Sequence, residues 1–374
     1  MARTRTVAAV VVLGDILRPD GQGRPGGTDR PTLWLANAVR RQIGRAAGLP
    51  VEVLLPTRDA ALAAWLAAAR PVAAADAYWA AHHAALPDDA ALAAALLPHL
   101  AGRFCLTYEA PPCVLRLLDA LGLPWLDVRL HPERFLDDLI FAVRASDAAT
   151  QAALRAFSVD EGVVLASAGL IEAMGQLISD AAVPEDTLLV VGQRPFDATQ
   201  IVGGRFFDAS THLDEIARIC AAHRAVVLKP HPSGDAHGLL LAAARAPNLL
   251  GTIGDNLYRM LALPQVASVL TVNSSVAYEA PYFGKRVYAL AALPLRVAWR
   301  GEDAVEGAYA ACDAALLMPD FWRMALAPHA TVSPPDGARL PAKPNRMRIA
   351  LDSFWNFQEI DTDRIPRQAI TAPR

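Results

Sequence analysis

From residue 187 the chain keeps one rhythm. "TLLVVG", "AVVLKP", "NLLGTI", "VASVLTV" and "RVYAL" are short apolar runs, with helical spacing or short loops between them. Unbroken runs of Val, Leu and Ile suit strands buried on both faces, and helices between them imply a parallel sheet covered on both sides. The helices expected are His212–Ala222, Ala236–Arg245, Asn256–Leu263 and Ser274–Phe283, the last ended by Gly284. The first half repeats the pattern more loosely: "TVAAVVVL", "VEVLL" and "RFCLTY" read as strands, and Leu33–Arg45, Asp59–Ala69 and Ala90–Leu97 as helices. A helical section over Ala148–Ser179 joins the halves. The expected fold is α/β, with two Rossmann-like parallel-sheet domains facing across a cleft, residues 1–150 and 151–345. Residues 346–374 follow, and "NRMRIALDSFWNFQEI" has the pattern of an amphipathic helix packing back on the body.

Composition removes several classes of function. A length of 374 residues exceeds one typical core, and 53% hydrophobic against 20% charged residues argues against disorder. A net charge of -3 gives no reason to expect a nucleic-acid partner. Cys105, Cys113, Cys220 and Cys312 form no CxxC pair, so they read as buried thiols in a reducing, cytoplasmic setting. The opening "MARTRTVAAVVVLGD" imitates a signal peptide, but its apolar run stops at Gly14 and Asp15 with no cleavage site, and it reads as a first buried strand. No apolar run reaches the ~18 residues of a membrane span, so membrane contact is peripheral at most. "GARLPAKPNRMR" carries Arg339, Lys343, Arg346 and Arg348 without an acid, and suits either that contact or a solvated connection. "RPDGQGRPGGTDRP" is a Gly/Pro-rich loop, long enough to be mobile or to bind something.

In open α/β sheets a ligand sits outside the carboxyl ends of the strands, so the loops directly after strands are the ones to read. "VVGQRPFDATQI" places Gln193 and Asp197 there; the carboxylate suits a base, a nucleophile or a plain Asx turn. "VVLKPHPSG" places Lys229 and His231 at the same edge, the imidazole between two prolines, where turn and phosphate ligand are both open. In "LTVNSSVAYEAPYFGK", Asn273 or Ser274 is expected to cap the next helix, and Ser274 and Ser275 offer hydroxyls at its start. Glu279 lies too far along for a capping box. In the first half "CLTYEAPP" puts Glu109 directly after its strand, opposite Asp197 if the halves face each other. Two carboxylates across a cleft are the equipment of glycosyl chemistry. No Walker motif and no GxGxxG after the first strand compete with this. "LPDDA" and "FLDDL" read as helix starts, not as a metal-binding DxD.

These stretches resemble the bacterial β-Kdo glycosyltransferases of capsule and lipopolysaccharide O-antigen synthesis, the retaining enzymes that use CMP-Kdo (Kdo is 3-deoxy-manno-octulosonic acid). "GQRPFDAT", "LKPHPSG" and "VNSSVAYEAPYFGKRVYAL" carry the resemblance, and the stretch from "YEAPP" to "FAVRAS" is similar to the family's upstream acidic motif. It spans about Phe104 to Leu290, and departs from the pattern at "GKRV" and at Thr199, which stands where serine is commoner. The resemblance implies a GT-B-like fold with the donor nucleotide on the second half. It also implies Asp197 as nucleophile, Glu109 as acid/base on the acceptor, and His231, Ser274 and Ser275 on the CMP phosphate. Lys229, Asn273 and Gln193 are supporting residues. No metal or other cofactor is expected; the expected partners are a CMP-sugar donor and an oligosaccharide or lipid-linked glycan acceptor, in the cytoplasm with at most peripheral contact at the inner membrane. A GT-B enzyme using a UDP-sugar, or a non-catalytic scaffold that binds a sugar nucleotide, are the alternatives.

Overall fold

The computed structural model describes residues 6–87, 90–178, 182–231, 238–302, 305–341, 343 and 345–351. The first sheet is built on β1 (Ala9–Leu13), β2 (Val51–Val53), β3 (Arg103–Tyr108) and β4 (Trp125–Leu130), all parallel, in the order β2-β1-β3-β4. β1 reads "AVVVL" and is buried along its whole length, as a strand between two helical layers must be. Helix Asp29–Ala47 covers one face through Leu35, Ala36, Val39, Ile43 and Ala46, spaced as one stripe of a helix. It stops where Gly48 takes φ 67. Asp59 caps helix Ala60–Ala69 by accepting from the Leu62 N–H at 2.8 Å.

β5 (Phe141–Ala145) then runs antiparallel to β4 and starts the far side of this sheet. The helical section expected over Ala148–Ser179 is broken. Helix Ala148–Ala153 and a 3-10 turn end at Phe157, and the next helix is Glu161–Ile178. The break is a pairing: Ser158 bridges Cys312, and the Val159 N–H donates to the Ala311 carbonyl at 2.7 Å.

The second sheet holds β6 (Thr187–Val191), β9 (Ala225–Lys229), β10 (Leu249–Thr252), β11 (Val266–Thr271) and β12 (Arg286–Ala289), all parallel, in the order β10-β9-β6-β11-β12. This is the doubly wound order of a Rossmann half, and together the sheets make a GT-B-like α/β fold. A hairpin of β7 (Ile201–Val202) and β8 (Arg205–Phe206) follows β6 and leaves the sheet altogether. It reaches the first half, where Phe206 meets Trp79 at 5.7 Å between ring centroids.

The C-terminal part of the chain does not stay with the second sheet. β13 (Val297–Ala298) and β14 (Tyr309–Cys312) join the first one, β14 antiparallel to β5. Helix Pro319–Leu326 then buries Phe321, Trp322, Ala325 and Leu326 in the same core as helix Asp29–Ala47. The return fills a need, since β5 would otherwise present an unpaired edge. A second-half segment running to 345 therefore ends its pairing with the second sheet at β12. The terminal helix is seen over Arg346–Leu351, with Met347 and Arg348 buried; the rest of that expected helix lies outside the described residues. "FLDDL" starts no helix of its own: Asp138 accepts from the Met347 and Arg348 N–H groups and caps the terminal helix instead. "LPDDA" falls partly outside the described residues. Arg348 is lost to the basic stretch, because its guanidinium is buried on the Arg134 and Leu136 carbonyls.

Among the described residues no helix is long and apolar enough to cross a membrane. All four cysteines are buried, and burial pushes the Cys105 thiol up to about 12.

Candidate active site

Strand order alone says where each sheet should bind. In the second sheet the order reverses between β6 and β11, and in the first between β1 and β3. Ligands bind at such switch points, at the carboxyl ends. Both switch points open on one cavity of about 300 Å³, lined by Asp15, Arg18 and Glu109 from the first half and by Gln193, Asp197, Asn273 and Ser274 from the second.

All eight residues singled out in the sequence line this cavity: Glu109, Gln193, Asp197, Lys229, His231, Asn273, Ser274 and Ser275. Asp197 makes the Asx turn, one of its three readings in the sequence, and it also lines the cavity. Its Oδ1 accepts from the N–H and the hydroxyl of Thr199, both at 3.0 Å, which is an Asx turn, and the same side chain faces the cavity. The residue before it, Phe196, has φ 53, and Glu109 itself has φ 48. Left-handed backbone at non-glycine residues is costly; among the described residues Asp186 and Asn345 share it away from the cavity, while here it falls on Glu109 and on the residue before Asp197. The Glu109 carboxylate accepts weakly, at 3.4 Å, from the Leu130 N–H.

Lys229 and His231 arrive together because Gly192 lets the end of β9 approach β6. A Cβ on Gly192 would meet the His231 nitrogen at 3.2 Å, and its own N–H donates to the Lys229 carbonyl at 2.9 Å. Burial, then the Arg194 and Lys229 charges, hold the His231 imidazole below its ordinary value, against an opposing pull from Asp197. That balance favours the neutral imidazole, which can still donate a hydrogen bond through one nitrogen. Residues 232–234 of the "LKPHPSG" stretch lie outside the described residues.

Asn273 is not a helix cap. The helix after β11 is Val276–Glu279, continued by a 3-10 turn over Ala280–Phe283, and it has no side-chain cap at Ser275. Asn273 and Gln193 form a buried amide pair instead. Gln193 Oε1 accepts from the Asn273 N–H at 2.8 Å, and its Nε2 donates to Asn273 Oδ1 at 3.2 Å. Asn273 Nδ2 then donates to the Thr199 carbonyl, so the pair fastens the Asp197 loop to the ends of β6 and β11. Ser274 and Ser275 are left half-buried at the cavity wall.

Several cavity residues escaped the sequence reading. Asp15 follows β1 directly, so the same post-strand rule finds it. Its carboxylate accepts from the Leu17 and Arg18 N–H groups and from the Trp79 indole N–H at 2.7 Å, and burial raises it. That turn sets Arg18 over the Trp79 ring, 5.2 Å from its centroid. Arg129, Arg134, Arg194 and His83 also line the cavity and had no local signal. Burial, with Arg129 and Arg18 nearby, pushes His83 down to about 4.

Beside the cavity lie two buried carboxyls, and Glu279 joins the halves. Glu279 Oε1 accepts from the Tyr258 hydroxyl at 2.7 Å and from the Arg134 N–H at 2.9 Å, and Ser275 also bonds this carboxylate. Glu133 Oε1 accepts from the Phe135 and Leu136 N–H groups. Burial raises Glu279 to about 7, and burial together with the Glu279 charge raises Glu133 to about 8. Among the described residues no group of three or more His, Cys, Asp or Glu comes together as metal ligands would.

The fold and cavity thus define a GT-B-like α/β chain with one site at the facing switch points of its two sheets. No protein-family model matches the chain, and no curated protein matches it. Among solved structures it is similar to KpsC of Thermosulfurimonas dismutans, a beta Kdo 2,7 transferase, at 12% identity and a TM-score of 0.32, covering 64% of this chain and 90% of that one. A second similar structure is the beta Kdo 2,4 transferase of the same KpsC, at 13% identity and a TM-score of 0.32, covering 59% and 78%.

Proposed function

We propose that the chain is a retaining glycosyltransferase that moves Kdo from CMP-Kdo to a saccharide acceptor of a bacterial surface polysaccharide. One observation carries the reading. Glu109 from the first switch point and Asp197 from the second line the same cavity, with Lys229, His231, Ser274 and Ser275 beside Asp197. In the first step Asp197 attacks the anomeric carbon, the bond from that carbon to the phosphate oxygen breaks, and its electron pair leaves with CMP. Lys229, the neutral His231 and the serine hydroxyls meet the phosphate charge as it develops. Gln193 and Asn273 hold the nucleophile's loop in place. In the second step the acceptor hydroxyl attacks the same carbon, Glu109 takes its proton, and Asp197 is released as carboxylate with net retention. Since the protein supplies the phosphate's partners, the scheme uses no metal. The acceptor is a free or lipid-linked glycan, and the work is done in the cytoplasm, at most at the membrane surface.

A thermal-shift titration with CMP, UDP and GDP, with and without magnesium, tests the reading. A shift for CMP alone, indifferent to magnesium, supports it, and a Kdo adduct on Asp197 after incubation with CMP-Kdo supports the covalent step. A shift for UDP moves the chain to a UDP-sugar enzyme, and no shift with any nucleotide favours a non-catalytic scaffold.

A further inference from the structure

Glu109 stands at φ 48 although it is followed by Ala110 and two prolines, and no glycine is present to make the turn easy. Something must hold it there. The Glu109 N–H donates to the Val128 carbonyl at 2.9 Å, which ends the β3–β4 ladder. On its other side Ala110 is held through both of its backbone groups, which belong to the two peptides flanking it. Its N–H donates to Asp127 Oδ1 at 3.1 Å, and its carbonyl accepts from Arg129 Nη2. Asp127 and Arg129 lie two apart on β4, on the same side of the strand, and Arg129 Nε closes the clamp on Asp127 Oδ2 at 2.6 Å.

The clamp is braced in turn from the far end of the chain. The Tyr309 hydroxyl, on β14, donates to Asp127 Oδ2 at 2.7 Å and accepts from Arg129 Nε at 3.0 Å. Two guanidiniums lie over its ring, Arg129 at 5.4 Å and Arg144 at 4.9 Å from the centroid. Thr107, on β3, donates its hydroxyl to Asp127 Oδ1 at 2.6 Å. An ion pair between a buried Asp127 and a half-buried Arg129 is weak evidence for stability, so a network this complete beside one left-handed residue calls for another reason.

We infer that Asp127, Arg129 and Tyr309 are positioning residues that force Glu109 into its left-handed conformation and so aim its carboxylate into the cavity. As a statement about catalysis this rests on the reading of Glu109 as acid/base. As a statement about the backbone it does not.

The test uses Glu109→Gly and Glu109→Ala, which remove the same carboxylate and differ in their tolerance of positive φ. In the otherwise native chain the glycine variant should melt above the alanine variant, by about 2 °C. In an Arg129→Lys background, where a point charge replaces the fork that spans Asp127 and Ala110, the gap should close or change sign. A gap of the same size there would overturn the clamp, because the turn itself would then impose the conformation. Should Arg129→Lys fail to fold, Tyr309→Phe serves as the second background under the same criterion. In a chain that transfers Kdo, Arg129→Lys should also lower kcat about tenfold while KM for CMP-Kdo stays within about twofold. An unchanged kcat would overturn the positioning role. If the native chain moves no Kdo the proposed function falls, and the melting comparison still decides the clamp.

Discussion

The two walls of the cleft hold their carboxylates by different means. Asp197 is fixed by its own loop: Thr199 two residues on closes the turn, and Gln200 Nε2 donates back to the Arg194 carbonyl at 2.7 Å. Glu109 is fixed by residues far along the chain, through Asp127, Arg129 and Tyr309. The difference is one of depth. Asp127 is wholly buried within a sheet, whereas the Asp197 loop is half-buried and steadied from outside, by Asn273 and by the hairpin that leans on Trp79. A wall carved from a core and a wall made of a docked loop should separate activity from stability in opposite ways.

The largest effect expected is on activity from the loop side. If Asp197 is the proposed nucleophile, Asp197→Ala should lower Kdo transfer by about 10⁴-fold or more, since that role has no substitute. Its cost in stability should be only about 1 kcal/mol, that of a lost turn cap. Parallel transfer assays and urea titrations check both numbers, and transfer near the native rate would remove Asp197 from the mechanism. Asp127→Ala reverses the balance. It leaves the half-buried Arg129 without its carboxylate and orphans the buried Thr107 and Tyr309 hydroxyls, so it should cost about 2–4 kcal/mol by urea unfolding. A cost below about 1 kcal/mol would show that the two walls are equally shallow.

An intermediate effect is expected at the joint of the loop. Asn273→Ala removes the bond to the Thr199 carbonyl and leaves the buried Gln193 amide short of partners. The expected loss is about 1–3 kcal/mol, with KM for the donor rising because the Asp197 loop is no longer tied to β11. Tight donor binding in that variant would mean that the hairpin on Trp79 is enough to hold the loop.

The same contrast explains what could be read from the chain before folding. Strands such as β3 and β9, the caps at Asp59 and Asn256, and the Asx turn at Asp197 depend on neighbours within a few residues, and the letters carry them. The rule that ligands meet post-strand loops located the cavity residues on both sheets, and applied to Gly14 and Asp15 it would have added Asp15. The clamp on Glu109 had no such signal. "WLDVRL" contains a charged alternation that a half-exposed strand would also show, and nothing local says that both charges turn inward. Tyr309 could not be assigned because β14 pairs antiparallel with β5, a return that the parallel rhythm conceals. Asn273 was misread as a cap for the converse reason: a local role was available, and the distant one took precedence.

The smallest effect concerns the seam, where Glu133 of the first half lies near Glu279 of the second, among Tyr258, Arg134, Arg348 and His131. Both carboxyls are raised in the folded chain, to about 8 and about 7, from 4.5. The folded state therefore keeps protons that the unfolded chain has released. Their stabilising contribution is full at low pH and is lost as pH rises through 7 and 8. The buried histidines work the other way. His131 is pushed down to about 3 and His83 to about 4 from 6.5, so stability rises with pH until the unfolded chain no longer takes up these protons. The two trends oppose each other below pH 6.5, and above it only the carboxyls remain. Between pH 6.5 and 8.5 the melting temperature should fall by roughly 3 °C. Glu133→Gln, which keeps the acceptor for the Phe135 and Leu136 N–H groups but has no proton to lose, should flatten most of that slope. A slope unchanged in Glu133→Gln would mean that Glu133 does not keep its proton in the folded chain at neutral pH.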